Sequence, residues 1–202
     1  MKIDMRDPEG GVFTVAGFMT PEECQAYIHF SESLQFAPAP LTTAHGPVMA
    51  PEVRNNTRVM VDDHRLAQSM WERVRPLVPE ALFDWSDELR EPIGLNERFR
   101  YFHYDPEQRF ARHYDAPYSR QNGEASLLTF MVYLNEGFEG GETRFYTDHS
   151  ELRFAVKPQT GMALFFIHNL YHEGARVLSG RKYVLRSDVM YRRLGWSSSK
   201  IS

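Results

Sequence analysis

Two short segments of the sequence carry side chains suited to holding a metal ion. Arg112-His113-Tyr114-Asp115 lies in a β-type run, and Tyr171-His172-Glu173-Gly174 lies at the end of another. Side chains at i and i+2 of a strand share a face, so His113 and Asp115 can point at one ion while Tyr114 points away. A third donor must come from elsewhere, and His172, 59 residues after His113, is the natural candidate. Two imidazoles and one carboxylate on one face of an octahedral ion leave three positions open, the donor set used by non-haem Fe(II) oxygenases.

The pattern is not unique in the chain. His103-Tyr104-Asp105 repeats it, but Asp105 precedes Pro106 and falls at a turn signal. His168, four residues before His172, competes for the third position. His29, His45, His64 and His149 read as surface or structural residues. Downstream, Gly180-Arg181-Lys182-Tyr183-Val184-Leu185-Arg186 places Lys182 ten residues after His172. Lys182 shares strand parity with Val184 and so faces inward, and an inward cation beside the third ligand suits a dicarboxylate co-substrate. Arg186 shares that face and is a second candidate for the same anion.

These residues need a scaffold. Val12-Phe13-Thr14-Val15 reads as a strand. Thr20-Pro21-Glu22-Glu23 reads as a capping box with proline at the first helical position, which predicts a helix to about Leu34. Pro38, Pro40, Gly46, Pro47 and Pro51 mark a long irregular stretch. Thr57–Val61 reads as a strand. Asp62 or Asp63 caps a second helix with Leu66, Met70, Val74 and Leu77 on its buried stripe, ended by Pro76 and Pro79. From Gly94 onward, β-type runs alternate with turn signals: Leu95–Tyr104, Phe110–Asp115, Ala125–Leu134, Glu142–Tyr146, Leu152–Val156, Gly161–Ile167 and Lys182–Tyr191. This predicts a mainly β (α+β) sandwich or barrel with two helices on one side.

Composition narrows the class. The chain has 202 residues, 42% of them hydrophobic and 25% charged, with a net charge of −4. It is long enough to bury a core without staples. The acidic balance lacks the basic signature of a nucleic-acid binder. No apolar run reaches the ~20 residues of a membrane helix, and Met1–Asp7 has no hydrophobic leader core. We therefore expect a cytoplasmic protein with neither membrane nor nucleic-acid partner. Cys24, the single cysteine, excludes an intramolecular disulfide and a cysteine-based zinc site, and fits a reducing compartment. The aromatic content of 13% favours half-buried pleated surfaces.

The region from about Asn96 to Tyr191 resembles the catalytic domain of the prolyl 4-hydroxylase-type Fe(II)- and 2-oxoglutarate-dependent dioxygenases. The resemblance rests on four segments in the family's order: Tyr104–Asp115, Phe138–Phe145, Lys157–Phe166 and His172–Tyr183. It implies a double-stranded β-helix, a jelly-roll or cupin-like fold, with N-terminal helices packed on the major sheet. It implies one domain over 1–202, with the strand and helices over 1–93 and the catalytic core over 94–193. It implies His113, Asp115 and His172 as iron ligands, and Lys182 and Tyr104 as contacts to the distal carboxylate of 2-oxoglutarate, with Arg186 as the alternative anchor. Fe(II), 2-oxoglutarate, O2 and ascorbate as reductant follow, with hydroxylation of a C–H bond as the reaction. Two loop positions depart from the family pattern: Glu107, where glycine is usual, and Arg176, where proline often precedes the valine. Tyr118, Arg120 and Asn122, just past the His-Tyr-Asp motif, are candidate substrate contacts. The leading substrate is a peptidyl proline or another amino-acid side chain, with a free amino acid or small metabolite as the alternative. A cupin-like metal-binding or sensing module is the non-enzyme alternative. Lys182 argues against it, because a pure iron binder needs no anchor for a keto acid.

Overall fold

A computed structural model describes residues 11–43 and 45–195 of the chain. Met1–Asp7, the segment without a hydrophobic leader core, lies outside the described residues. Among the described residues no helix is long and apolar enough to cross a membrane.

Two antiparallel sheets face one another. The larger runs Val12–Val15, Ala163–Ile167, Ala125–Tyr133, Lys182–Arg193, Arg98–Tyr104, Thr57–Asp62, Ala37–Pro38, with Leu89–Leu95 also paired to Lys182–Arg193. The smaller runs Leu152–Val156, Thr143–Tyr146, His172–Gly174, Phe110–His113. This is the expected jelly roll. Alternation assigns the two faces of the large sheet. Phe130, Phe165, Leu185 and Tyr101 point outward, where they are fully buried beneath the N-terminal segment and the helices. Phe18 meets Phe130 edge-on at 5.4 Å, and Tyr27 and Phe30 cover Tyr101. Thr129, Tyr133, Val184, Phe102 and Tyr104 point the other way, toward the smaller sheet.

Both helices begin as their caps dictate. Pro21–Glu32 starts at Thr20, whose hydroxyl accepts the Glu23 amide while the Glu23 carboxylate accepts the Thr20 amide. His64–Val74 starts at Asp63, which accepts the Leu66 amide at 2.9 Å. Three sequence expectations are revised. The run Leu95–Tyr104 is two strands, Leu89–Leu95 and Arg98–Tyr104, broken at Asn96-Glu97, where Asn96 bonds the Arg98 amide instead of extending a ladder. The proline-rich stretch contains a small hairpin, Leu41–Thr43 against Gly46–Val48. The strand expected over Phe110–Asp115 ends at His113.

The N-terminal segment is tied to the sheet by one tight backbone crossing. Met19 donates its amide to the Gly161 carbonyl at 3.0 Å, and Gly161 has φ +76°. A Cβ there would lie 2.0 Å from the Met19 carbonyl oxygen. Gly17 has a similar φ of +63° but open space around it. Gly161→Ala should therefore cost about 2–4 kcal/mol in urea unfolding, against about 1 kcal/mol for Gly17→Ala, which carries the left-handed conformation alone. Equal losses would show that the crossing is not tight.

Candidate active site

The two histidines, distant in sequence, are cross-strand neighbours. His172 in His172–Gly174 pairs directly with His113 in Phe110–His113, and the rings lie 4.2 Å apart. Each ring has its Nδ1 against a backbone carbonyl two residues back, Ala111 at 2.7 Å and Leu170 at 2.9 Å. A carbonyl only accepts, so Nδ1 carries the proton and the lone pair of Nε2 faces the interior. Asp115 lies past the strand end, yet its carboxylate reaches both rings: 3.6 Å from His113 Nε2 and 3.8 Å from His172 Nε2. Its orientation comes from elsewhere. The Asp115 amide donates to the His168 carbonyl at 3.1 Å, and the Thr129 hydroxyl donates to the carboxylate at 2.6 Å. Ligand atoms of His113, Asp115 and His172 fall within 4.8 Å of one another, spacing that one ion can bridge.

The electrostatics suit a cation. Burial pushes the Asp115 carboxyl up, but Arg186 and the two imidazoles outweigh it and hold the group well below the usual carboxylate range. Burial, with His113 beside it, pushes His172 down to about 3, so the ring is neutral and able to ligate. His168 stands apart: its Nδ1 lies 3.2 Å from the Thr129 hydroxyl and its Nε2 3.0 Å from the Ser126 hydroxyl, so both ring nitrogens are engaged. His103 faces outward between Phe36 and Tyr183. Asp105 bonds Arg181.

The two candidate anchors have different partners. Arg186 contacts Asp115 at 3.0 Å and Asp188 at 3.2 Å, and Arg100 holds the other Asp188 oxygen at 3.1 Å. Its charge is spent on fixing the Asp115 carboxylate. Lys182 is 2% exposed, and among the described residues it has no carboxylate in contact. Its ammonium donates to the Gly141 carbonyl at 2.6 Å and lies over the rings of Tyr104 and Tyr133. Burial pushes it down to about 7. Lys182, Tyr104, Thr143 and the three ligand residues line one narrow cavity of about 50 Å³. A buried ammonium without a counter-ion at the end of a cavity is what a carboxylate would satisfy.

A second, wider chamber of about 390 Å³ lies beside His113 and Asp115. Arg54, Arg58, Arg100, Tyr114 and Tyr118 line it. Of the three expected substrate contacts only Tyr118 is there. Arg120 is turned away, held by Glu97 and by Glu124 at 2.9 Å, and Asn122 caps the turn by accepting the Glu124 amide. Arg120 and Asn122 sit in a local turn where Glu97 and Glu124 engage their polar groups, and neither lines the cavity. Sequence reasoning missed Arg54, Arg58 and Arg100. Arg100 was within reach of it, since it shares parity with Tyr104 on one strand. The two family departures meet: Glu107, at φ 72° where glycine is usual, forms an ion pair with Arg176.

The family model of the 2OG-Fe(II) oxygenase superfamily matches residues 99–187. Prolyl 4-hydroxylase 13 of Arabidopsis thaliana is 26% identical over 197 residues, covering 86% of this chain and 68% of its own. Among solved structures, a Pseudomonas putida prolyl-4-hydroxylase superposes with a TM-score of 0.66 at 18% identity, covering 91% of this chain and 93% of that one. A Trichoplax adhaerens prolyl hydroxylase, solved with a hypoxia-inducible-factor peptide fragment, gives 0.65 at 15% identity over 89% of this chain and 83% of that one.

The burial of Lys182 yields a signed prediction for the metal-free protein. A lysine whose folded pKa is lowered binds its proton more weakly in the folded state than in the unfolded state. The resulting destabilisation is full below about 7 and fades as pH approaches the unfolded value of 10.5. Lys182→Met should therefore raise stability by ~2 kcal/mol or more at pH 6, with the gap shrinking by pH 9. Urea unfolding at the two pH values measures it, and a pH-independent gap would contradict the assignment.

Proposed function

We propose that the chain is a prolyl 4-hydroxylase-type Fe(II)- and 2-oxoglutarate-dependent dioxygenase, and that within this class it hydroxylates a peptidyl proline or another amino-acid side chain of a peptide. One observation carries the peptide reading. The chamber beside the candidate ligands is open at a rim of exposed Tyr114 and Tyr118, the first stacked on Tyr171 at 5.0 Å. Flat aromatic rims grip extended chains at low entropic cost. Relatives named as prolyl hydroxylases, one of them holding a peptide, favour the same class. The buried, unpaired Cys24 suits a reducing, intracellular setting, which we also propose.

In this reading His113, Asp115 and His172 hold Fe(II), and Lys182 holds the distal carboxylate of 2-oxoglutarate with Tyr104 beside it. Iron, 2-oxoglutarate and O2 together supply the oxidising chemistry, with decarboxylation to succinate coupled to insertion of one oxygen atom into a C–H bond, and ascorbate keeps the iron ferrous. The residues of the chain do the rest. The Ala111 and Leu170 carbonyls fix both imidazole tautomers. Thr129 and Arg186 fix the Asp115 carboxylate and keep it ionised. Phe166, edge-on to His172 at 4.6 Å, and Phe110, stacked on His113 at 3.5 Å, keep water from the ring faces.

Anaerobic protein with Fe(II) and 2-oxoglutarate should show the weak visible charge-transfer band of a chelated keto acid. His113→Ala, Asp115→Ala and His172→Ala should each abolish it, while His103→Ala spares it. Loss in His168→Ala with retention in His172→Ala would move the third ligand. Lys182→Ala should weaken 2-oxoglutarate binding by about 100-fold, since it leaves a buried carboxylate unpaired, with little change in iron affinity. For the substrate, mass spectrometry of proline-containing peptides after turnover should show addition of one oxygen. Oxygen addition to free amino acids alone would reject the peptide reading in favour of a small metabolite.

A further inference from the structure

The wide chamber carries more positive charge than its own carboxylates neutralise. Four guanidinium groups face it, those of Arg54, Arg58, Arg100 and Arg186, against two carboxylates, Asp115 and Asp188. Both carboxylates are already engaged. Asp115 pairs with Arg186 and faces the metal position, and Asp188 is shared between Arg186 and Arg100. Arg54 and Arg58 have no carboxylate partner among the described residues.

The fold builds this imbalance deliberately into the sheet. Arg186 and Arg100 are directly paired across neighbouring strands, and Arg58 sits one strand further on, opposite Phe102, on the same face. Like charges opposite one another in a sheet are destabilising. Burial, with Arg100, Arg186 and Arg98 nearby, pushes the Arg58 guanidinium down from its ordinary value. Arg54 is 7% exposed, sandwiched between the rings of Phe102 and Phe110 at 4.9 and 4.2 Å, and its Nε donates to Asn56 at 2.9 Å. That packing holds the guanidinium plane in one orientation while leaving it without a counter-ion. Lys182, the candidate 2-oxoglutarate anchor, lines the narrow cavity and not this chamber, Arg54 and Arg186 line both, and Arg58 and Arg100 line the chamber alone.

We infer that Arg54 and Arg58 form a carboxylate-binding subsite for the substrate, so that the residue to be hydroxylated is presented next to an acidic group. This rests on the reading of the chain as a peptide hydroxylase and specifies which peptides. A guanidinium offers a flat pair of donors that match a carboxylate in two-point contact. A neutral or basic peptide would leave Arg58 uncompensated and repelled by its neighbours. The carboxylate has two sources, an acidic side chain beside the target or the C-terminal carboxylate of the peptide, and a free carboxylic acid would present the same chemistry.

The test uses the full chain with Fe(II) and 2-oxoglutarate under anaerobic conditions. The charge-transfer band comes first, and its absence in wild type rejects the dioxygenase assignment rather than the subsite. With the band present, calorimetric titration compares acetylated, amidated peptides that carry Glu or Gln immediately before or after a proline. The Gln peptides are then repeated as free C-terminal acids, and N-acetylproline represents the small acid. An acidic member of one arm should bind about tenfold or more tighter than its neutral partner, and that arm identifies the source. Arg58→Gln should abolish the preference while keeping the band, Arg58→Lys should retain part of it, and Arg58→Glu should reverse it toward Lys-containing peptides. Equal or undetectable binding of acidic and neutral members overturns the inference. So does a preference that survives in Arg58→Gln, or loss of the band in that variant, which would assign the arginines to the co-substrate.

Discussion

The site depends on keeping one buried carboxylate ionised. Asp115 is excluded from water, and burial alone would favour its protonated form, which cannot hold a metal ion. Arg186 is the counterweight, and the need propagates outward. A buried guanidinium requires more than one anion's worth of contact, so Asp188 shares it, and Asp188 in turn draws on Arg100. The chain Asp115–Arg186–Asp188–Arg100 occupies two positions of one strand, one of its neighbour and the loop beyond His113. Its geometry is therefore set by sheet register. A slip of one residue in the pairing of Lys182–Arg193 with Arg98–Tyr104 would turn Lys182, Arg186 and Asp188 to the helix-covered face together. The helices beyond that face then have a clear part in the site. With Tyr27 and Phe30 over Tyr101, and Phe18 of the preceding segment over Phe130, they fix which side of the large sheet is which.

The charges around the metal position fall into two groups with different roles. Those of Arg186 and Arg100 are neutralised within the chain and serve to hold Asp115. Those of Lys182, Arg54 and Arg58 are not, and they lie in cavities. Leaving a cation unpaired inside a protein lowers stability, and such groups persist where a ligand completes them. The narrow cavity holds the ammonium, Arg58 faces the wide chamber and Arg54 lines both, so the cavities offer defined places for anions. On this account a bound anion should add to the stability supplied by the hydrophobic core, which is filled by Phe130, Phe165, Phe99 and Tyr191.

Much of this was legible in the sequence, for reasons that differ from residue to residue. The helix starts are local chemistry, and Thr20 and Asp63 do what their types and positions dictate. Lys182 and Arg186 follow from strand parity, which is also local. His113 and His172 pair across strands, and their meeting was readable only through the resemblance to a known arrangement, since the 58 intervening residues fold into five further strands. Asp115 was placed correctly by a rule that does not apply to it. The strand stops at His113, and it is the His168 carbonyl and the Thr129 hydroxyl that turn Asp115 inward. Arg54 lay beyond reach because its position comes from a non-repetitive connection, where Val53 and Asn55 bond the backbone around Ala111 and Arg109. Arg120 and Asn122 lie elsewhere for the opposite reason: a polar turn whose groups are taken up by Glu97 and Glu124 looks like a ligand-binding loop until those partners are known.

The two His-x-Asp copies show what separates a motif from a site. His103 and His113 have the same neighbours in sequence pattern, and each histidine lies near its aspartate, at 3.7 and 3.6 Å. The difference is the face. Tyr104 points between the sheets toward Lys182, so alternation sends His103 to the outside, where Phe36 and Tyr183 pack around it. Asp105 then turns into a surface loop and pairs with Arg181. Around the second copy a partner strand supplies His172 directly opposite, and the neighbouring sheet supplies Thr129 and Arg186 to orient the carboxylate. A third donor and a buried setting for the carboxylate are what the first copy lacks. Both come from strands distant in sequence, so the motif gains chemical meaning only where the sandwich closes around it.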